Sequence, residues 1–251
     1  RPGGSGKTRL ALEAAAARLD ANAHEHGVFF VSLAPIESPD AIVPTVADVV
    51  GFRFYAGGTP EQQLLDYLRQ RNLLLIMDNC EHLLEGVGLV SDIIKTAPGV
   101  QILATSRARM NLGGEHRFRV AGMAYPRERT PQALSVPRQA EDALQFSAIE
   151  LFSEGARRAQ QDFELNDENL GSVVEICRLV QGMPLAIRLA AAWVGMLAPA
   201  RIAAEIHGSL DLLETERRDV PERQRSVRAA ADHSWNLLSK RQRDVFQTLS
   251  V

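Results

Sequence analysis

Arg1-Pro2-Gly3-Gly4-Ser5-Gly6-Lys7-Thr8 stands at the start of the chain, and its reading decides the fold. It matches the pattern G-x-x-x-x-G-K-[ST] at every position except the first, where Arg1 replaces glycine. Glycines let consecutive backbone N–H groups turn inward as an anion nest, where a Cβ would clash. Lys7 brings a point charge to the β- and γ-phosphates of a nucleotide, and the Thr8 hydroxyl suits Mg²⁺. The following residues predict a helix with Leu12, Ala15, Ala16 and Leu19 on one face, its N-terminus turning a positive dipole end toward the phosphates. The alternative is a glycine-rich turn that happens to precede Lys-Thr. At average composition such a match arises by chance in well under ~1% of chains this long.

Outward from this loop, short apolar runs alternate with amphipathic stretches. Residues 28–33, 73–77 and 101–105 are short and rich in aliphatic residues, which predicts buried parallel strands. Ser38 with Pro39, and Thr59 with Pro60 and Gln62, mark helix starts. A helix is expected over 81–95, with Leu83, Val87, Val90 and Ile94 on one face. Residues 117–120 alternate polar and apolar and predict an edge strand. Strands alternating with helices indicate an α/β domain with a parallel sheet.

The 73–77 run ends in Asp78. An apolar strand ending in a carboxylate about 70 residues after a phosphate loop predicts the Mg²⁺-side aspartate of a nucleotide site. Asn79 follows where many ATPases carry Asp or Glu, and an amide cannot accept a proton from the attacking water. Glu81 is the nearest substitute, although a charge in the first helical turn is an equally good reading of it. His82 reads as a helix-surface or packing residue. Arg107, two positions beyond the third strand, reads on its motif alone as a solvated strand-end charge.

Residues 125–139, with Pro126, Pro131 and Pro137, have no period and predict a linker. Beyond it the pattern is helical. Ile149, Phe152, Ala156 and Ala159 share one face, and so do Leu170, Val173, Val174 and Cys177. Residues 185–197 are apolar nearly all round, which predicts the buried centre of a small bundle. Gly182-Met183-Pro184 reads as a turn with Pro just inside the next helix. Charged residues over 214–228 lead to a last helix pair at Ser239, with Gln242 at capping-box spacing. Trp193 and Trp235 read as core.

The 251 residues carry a formal net charge of -3, with 45% hydrophobic and 24% charged residues. That composition is ordinary for a soluble globular protein, and no basic field argues for nucleic acid. Two distant cysteines, Cys80 and Cys177, fit a reducing compartment. The apolar 185–197 run, broken by Arg188, is too short to span a bilayer. Beginning inside the loop and stopping in an apolar segment, the chain reads as a fragment cut at both ends, without the strand that should precede the loop.

Four motifs, Gly3-Gly4-Ser5-Gly6-Lys7-Thr8-Arg9, Met77-Asp78-Asn79-Cys80-Glu81-His82, Ala104-Thr105-Ser106-Arg107 and Gly182-Met183-Pro184-Leu185-Ala186, occur in an order that resembles the signal-transduction ATPases with numerous domains (STAND). These include the NB-ARC or apoptotic-ATPase group and bacterial LuxR-like and antibiotic-regulator-type transcriptional regulators. The resemblance covers essentially the whole chain. It implies an α/β P-loop NTPase parallel sheet with its first strand missing, an all-α helical domain, and the start of a winged-helix domain. The implied boundaries are 1–124, a linker at 125–142, 143–208, and 209–251. It implies a sheet in which the 101–105 strand lies beside the 73–77 strand, on the side of the missing strand. It further implies that Gly3, Gly4, Ser5, Gly6, Lys7, Thr8 and Arg9 bind ATP or ADP, with Pro184 packing near the adenine. Thr8 and Asp78 would hold Mg²⁺, Lys7, Asp78 and Arg107 would serve the phosphate chemistry, and Arg107 would sense the γ-phosphate. The later winged-helix histidine of the family is absent, and His233 does not match it.

Four functions compete. A nucleotide-gated regulatory module of a signal-transduction or transcriptional regulator would be cytoplasmic, hydrolyse ATP slowly, and self-associate in the ATP state. A turnover ATPase of an oligomeric remodelling machine should carry a carboxylate at Asn79. A small-molecule phosphotransferase needs a lid that the helical region does not suggest. Direct DNA contact lacks a basic recognition helix and is expected only from domains outside these residues. The first reading is favoured.

Overall fold

The computed structural model describes residues 3–82, 88–126, 139–214 and 225–228, with positions 235, 241 and 243. They fall into two compact units, one of residues 7–118, the other of the amino-terminal residues up to Gly6 with the chain from Arg119 onward.

The first unit is mixed α/β. Three parallel strands, β1 (Val28–Ser32), β2 (Leu73–Asp78) and β3 (Val100–Ala104), lie in the order β1-β2-β3. They occupy the three runs expected from the sequence, to within a residue at either end. Helices α1 (Lys7–Asp20), α2 (Ile42–Val49), α3 (Pro60–Leu68) and α4 (Gly88–Thr96) accompany them. Every residue of the central β2 is buried. With a side-chain period of two, Leu73, Leu75 and Met77 join a core with Val46, Leu64, Leu68 and Ile93, while Leu74 and Ile76 meet Ala11 and Ala15 of α1. Each such aliphatic side chain contributes about 1.5–3 kcal/mol on burial.

Three local signals act as expected and two only in part. Thr59 caps α3, its hydroxyl accepting from Gln62 N at 3.3 Å. The reciprocal half of a capping box is replaced by Gln62 Nε2 donating to Asp66 Oδ1. Ser38 caps a 3₁₀ turn, Pro39–Ala41, that runs into α2. Pro184 opens its helix, and Gln181 and Gly182, at φ 52° and 66°, make the reversal before it.

Four expectations are corrected. The buried face of α1 is Ala11 and Ala15, whereas Leu12 and Leu19 are exposed; the small alanines let the helix lie close on the sheet. In α4 the buried residues are Leu89, Val90 and Ile93, with Ile94 exposed. Leu83 and Val87 are outside the described residues, and Cys80–His82 form a 3₁₀ turn instead of a first helical turn. Residues 117–120 are irregular, with Phe118 82% exposed. Alternation is not enough to make a strand: among the described residues these pair with no strand of the sheet.

The second unit is helical: α5 (Ala140–Ala143), α6 (Ser147–Ala159), α7 (Asp167–Leu179), α8 (Pro184–Ala192) and α9 (Pro199–Gly208). Its core gathers Ile149, Phe152, Val173, Ile176, Ile187 and Ile202. Within the expected faces Ala159 is exposed and Val174 only partly buried. A Cβ on Gly155 would sit 2.8 Å from that of Ala191, so α6 and α8 pack at glycine distance. The apolar 185–197 run divides into α8 and a 3₁₀ turn, Trp193–Gly195, with Arg188 outward and Met196 79% exposed. Trp193 is partly buried against the core, its indole N–H donating to Leu212 O at 2.8 Å. Most of the 125–139 linker, His233, Ser239 and Gln242, and most of the expected 209–251 winged-helix start, lie outside the described residues.

Candidate functional site

Asp78 ends β2 and is 4% exposed. A carboxylate this deep needs donors, and two hydroxyls supply them. Thr8 Oγ1, in the first turn of α1, donates to Asp78 Oδ1 at 2.7 Å, and Thr105 Oγ1 donates to the same oxygen at 2.6 Å. Charge-assisted hydrogen bonds of this kind contribute about 1.5–3 kcal/mol each. Thr105 is brought there by register. Met77 pairs with Ala104 as the last partners of β2 and β3, so the next residue of each strand comes alongside the other. The pairing continues through the backbone, Thr105 N donating to Met77 O at 2.9 Å and Cys80 N to Thr105 O at 3.0 Å.

Asn79 lies at φ 70°, in the left-handed region that asparagine tolerates best among residues with a side chain. Its N–H donates to Thr105 Oγ1 at 3.1 Å. The identity of residue 79 therefore has a backbone reason as well as a chemical one.

Glu81 and Arg107 correct the sequence reading. Arg107 is not a solvated charge: its Nε lies 3.0 Å from Glu81 Oε1, and the two side chains are 12% and 4% exposed. Glu81 is correspondingly a buried ion-pair partner. Lys7 feels this centre. Burial and the Arg107 charge push its ammonium below the usual lysine range, and Glu81 and Asp78 pull it back. Cys80, between the two carboxylates in sequence, has its thiol pushed up to about 12 by burial and by Glu81 and Asp78. Arg9, by contrast, is an exposed helix residue paired with Glu13 at 2.5 Å.

The glycine stretch belongs to the other unit and is described with it. Gly4 and Gly6 have φ of 82° and 83°, the left-handed turns that the motif's glycines allow. Leu185 N donates to Gly4 O at 3.2 Å, and a Cβ on Gly4 would meet that of Leu185 at 2.8 Å. Pro184 Cγ lies 3.7 Å from the position of a Gly6 Cβ. Pro184 thus stands against the glycines themselves. Ser5 lies between these two turns.

Chemically, Lys7, the backbone N–H groups that begin α1 and Arg107 suit a polyanion. The Thr8 hydroxyl and Asp78 carboxylate are hard oxygen donors of the kind Mg²⁺ takes. Among the described residues no group of three or more His, Cys, Asp or Glu could hold a metal alone, so a Mg²⁺ here would need phosphate oxygens as well. Thr105 and Glu81 are the residues the sequence undervalued. The strand register signals the first, and nothing in the sequence identifies the ion pair of the second.

No family model matches the chain. It is 34% identical over 249 residues to a protein of Mycobacterium tuberculosis named "Putative HTH-type transcriptional regulator", and equally to one so named in Mycobacterium bovis. The match takes 99% of this chain and 26% of those proteins. An uncharacterized protein of M. tuberculosis is 30% identical over 253 residues, which is 100% of this chain and 58% of that protein. The chain thus spans about a quarter of the length of the regulators it matches. Among the described residues, no helix is long and apolar enough to cross a membrane.

Proposed function

We propose that this chain is the ATP/ADP-binding module of a larger transcriptional or signal-transduction regulator, and that nucleotide exchange is its switch. The observation that carries the reading is the 2.7 Å hydrogen bond from Thr8 to Asp78, 70 residues apart. It joins the Gly-Lys-Thr stretch to the only buried carboxylate at a described strand end. The likeness to proteins named as HTH-type regulators supports the regulatory context, although it comes from a quarter of their length.

In this reading the backbone of Gly3, Gly4, Ser5 and Gly6 with the first amides of α1 wraps the phosphates, and Lys7 pairs with their outer oxygens. By the resemblance, Arg9 and Pro184 would also belong to the nucleotide-binding residues. Thr8 and Asp78 would hold a Mg²⁺, which supplies charge neutralisation at the phosphates. Arg107 reports the γ-phosphate by exchanging Glu81 for it. Adenine is preferred because the chain has no guanine-selecting Asn-Lys-x-Asp. ATP shifts the population toward a self-associating state, and DNA is contacted through other parts of the regulator.

A second reading, turnover ATPase of an oligomeric remodelling machine, is favoured by one observation, the buried Glu81 carboxylate near Lys7. Its engagement by Arg107 and the amide at Asn79 weigh against it. The regulatory reading expects ADP in natively purified protein, and hydrolysis far below about 10 per second. Lys7→Ala should empty the protein of ADP. Unchanged ADP content in that variant, measured by mass spectrometry of released nucleotide, would sink the proposal.

A further inference from the structure

We infer that Thr105 is a positioning residue for the divalent cation, fixing the rotation of the Asp78 carboxylate so that the site reads Mg²⁺ along with nucleotide; this rests on the nucleotide-binding reading above. The argument is one of donors and acceptors. A carboxylate at the end of a strand turns about its own bond, and a single hydrogen bond leaves that rotation loose. Here two hydroxyl protons converge on one oxygen, Oδ1, from Thr8 at 2.7 Å and from Thr105 at 2.6 Å. With Oδ1 so held, the direction of Oδ2 is set.

Thr105 is itself fixed from three sides. Its hydroxyl spends its one proton on Asp78 and accepts the Asn79 N–H at 3.1 Å. Its backbone N–H goes to Met77 O and its carbonyl takes Cys80 N–H. It is 7% exposed, so water does not compete well for these bonds. The consequence reaches Thr8. Because the Thr8 proton is committed to Asp78, the lone pairs of its hydroxyl are turned toward whatever lies on the other side, the orientation a cation ligand requires. Thr105 touches neither cation nor phosphate in this scheme. It acts through Asp78, in the way outer partners of metal ligands do, where loss costs 10–100-fold in metal affinity.

The choice of threonine also discriminates against a purely apolar role. A valine has nearly the same shape but neither donates to Asp78 nor accepts from Asn79, so Thr105→Val removes the relay while keeping the packing. Thr105→Ser keeps the relay and loses only a methyl group. Thr105→Ala removes the hydroxyl with less crowding.

The test is calorimetric titration of the purified full-length protein with ADP and with ATP, in EDTA and in excess Mg²⁺, for the wild type and these three variants, with a thermal melt of each. The expected result is that Mg²⁺ tightens nucleotide binding by the wild type and by Thr105→Ser. In Thr105→Val and Thr105→Ala that Mg²⁺-dependent gain falls about tenfold or more, while affinity in EDTA stays within a factor of about three. An undiminished Mg²⁺ gain in the valine and alanine variants overturns the inference. Equal loss in EDTA and in Mg²⁺ overturns it too, as does failure of both variants to melt cooperatively, since either makes Thr105 a folding residue. A wild type that binds nucleotide with no response to Mg²⁺ overturns it while leaving nucleotide binding intact. A wild type giving no heat with either nucleotide is a failure of the underlying reading instead.

Discussion

Removing Arg107 should loosen the α/β unit as well as any nucleotide response, and the size of that effect can be worked from its pair with Glu81. The two side chains lie 3.0 Å apart and are 12% and 4% exposed. Arg107→Ala leaves the Glu81 carboxylate buried without its guanidinium. Breaking a buried pair from one side costs about 3–5 kcal/mol, because the remaining charge stays desolvated. The lower end applies here, since Lys7 is near enough for Glu81 to act on it. A loss of about 3 kcal/mol is about a hundredfold in an opening equilibrium. Glu81→Gln in the same background removes the stranded charge, so the double variant should be milder than Arg107→Ala, with a coupling of about 2 kcal/mol. The two tryptophans, Trp193 and Trp235, both belong to the other unit, so their fluorescence is blind to this change. Hydrogen exchange by mass spectrometry on peptides covering β2 is the suitable assay. Exchange should quicken about a hundredfold in Arg107→Ala and recover in part in the double variant. Unchanged β2 exchange in Arg107→Ala, or a double variant as loose as the single, would refute the claim of a buried, interdependent pair.

Two further outcomes test the helical unit by urea titration of tryptophan fluorescence. Gly4→Ala combines a positive φ with a Cβ 2.8 Å from that of Leu185, so it should lose about 1–3 kcal/mol. Gly171→Ala, in α7 with open space around it, should gain about 0.5–1 kcal/mol. Burial raises the Cys177 thiol from 9.0 to about 12. The folded state therefore keeps a proton that the unfolded chain releases, and this stability is full below pH 9 and lost as pH rises toward 12. The slope is about 1.4 kcal/mol per pH unit. Cys177→Ala should lose less stability than the wild type between pH 8 and 10, and equal slopes would show the thiol to be accessible.

Adjacent residues carried much of this chain's organisation, and their local chemistry explains why. The three strands were legible because buried parallel strands must be short and continuously apolar, as 73–77 is. The Thr59 cap and the Pro184 helix start follow from residues within four positions of one another, and so does the glycine turn before Lys7. Periodicity failed where a face depended on what it met. On α1 the leucines looked like the buried side, yet the sheet accepts Ala11 and Ala15, which approach closely. Residues 117–120 had the rhythm of a strand, yet among the described residues they pair with no strand.

By itself the sequence determined which residues turn and which run straight, because those properties reside in a few neighbouring side chains. Only the tertiary structure decided which distant groups share a proton or a charge. The register of β2 against β3 sets Thr105 beside Asp78, and burial turns Glu81 and Arg107 from two ordinary surface charges into one ion pair. Hydrogen bonds and ion pairs act over about 3 Å, and sequence separations of 26 or 27 residues say nothing about such a distance until the chain has folded.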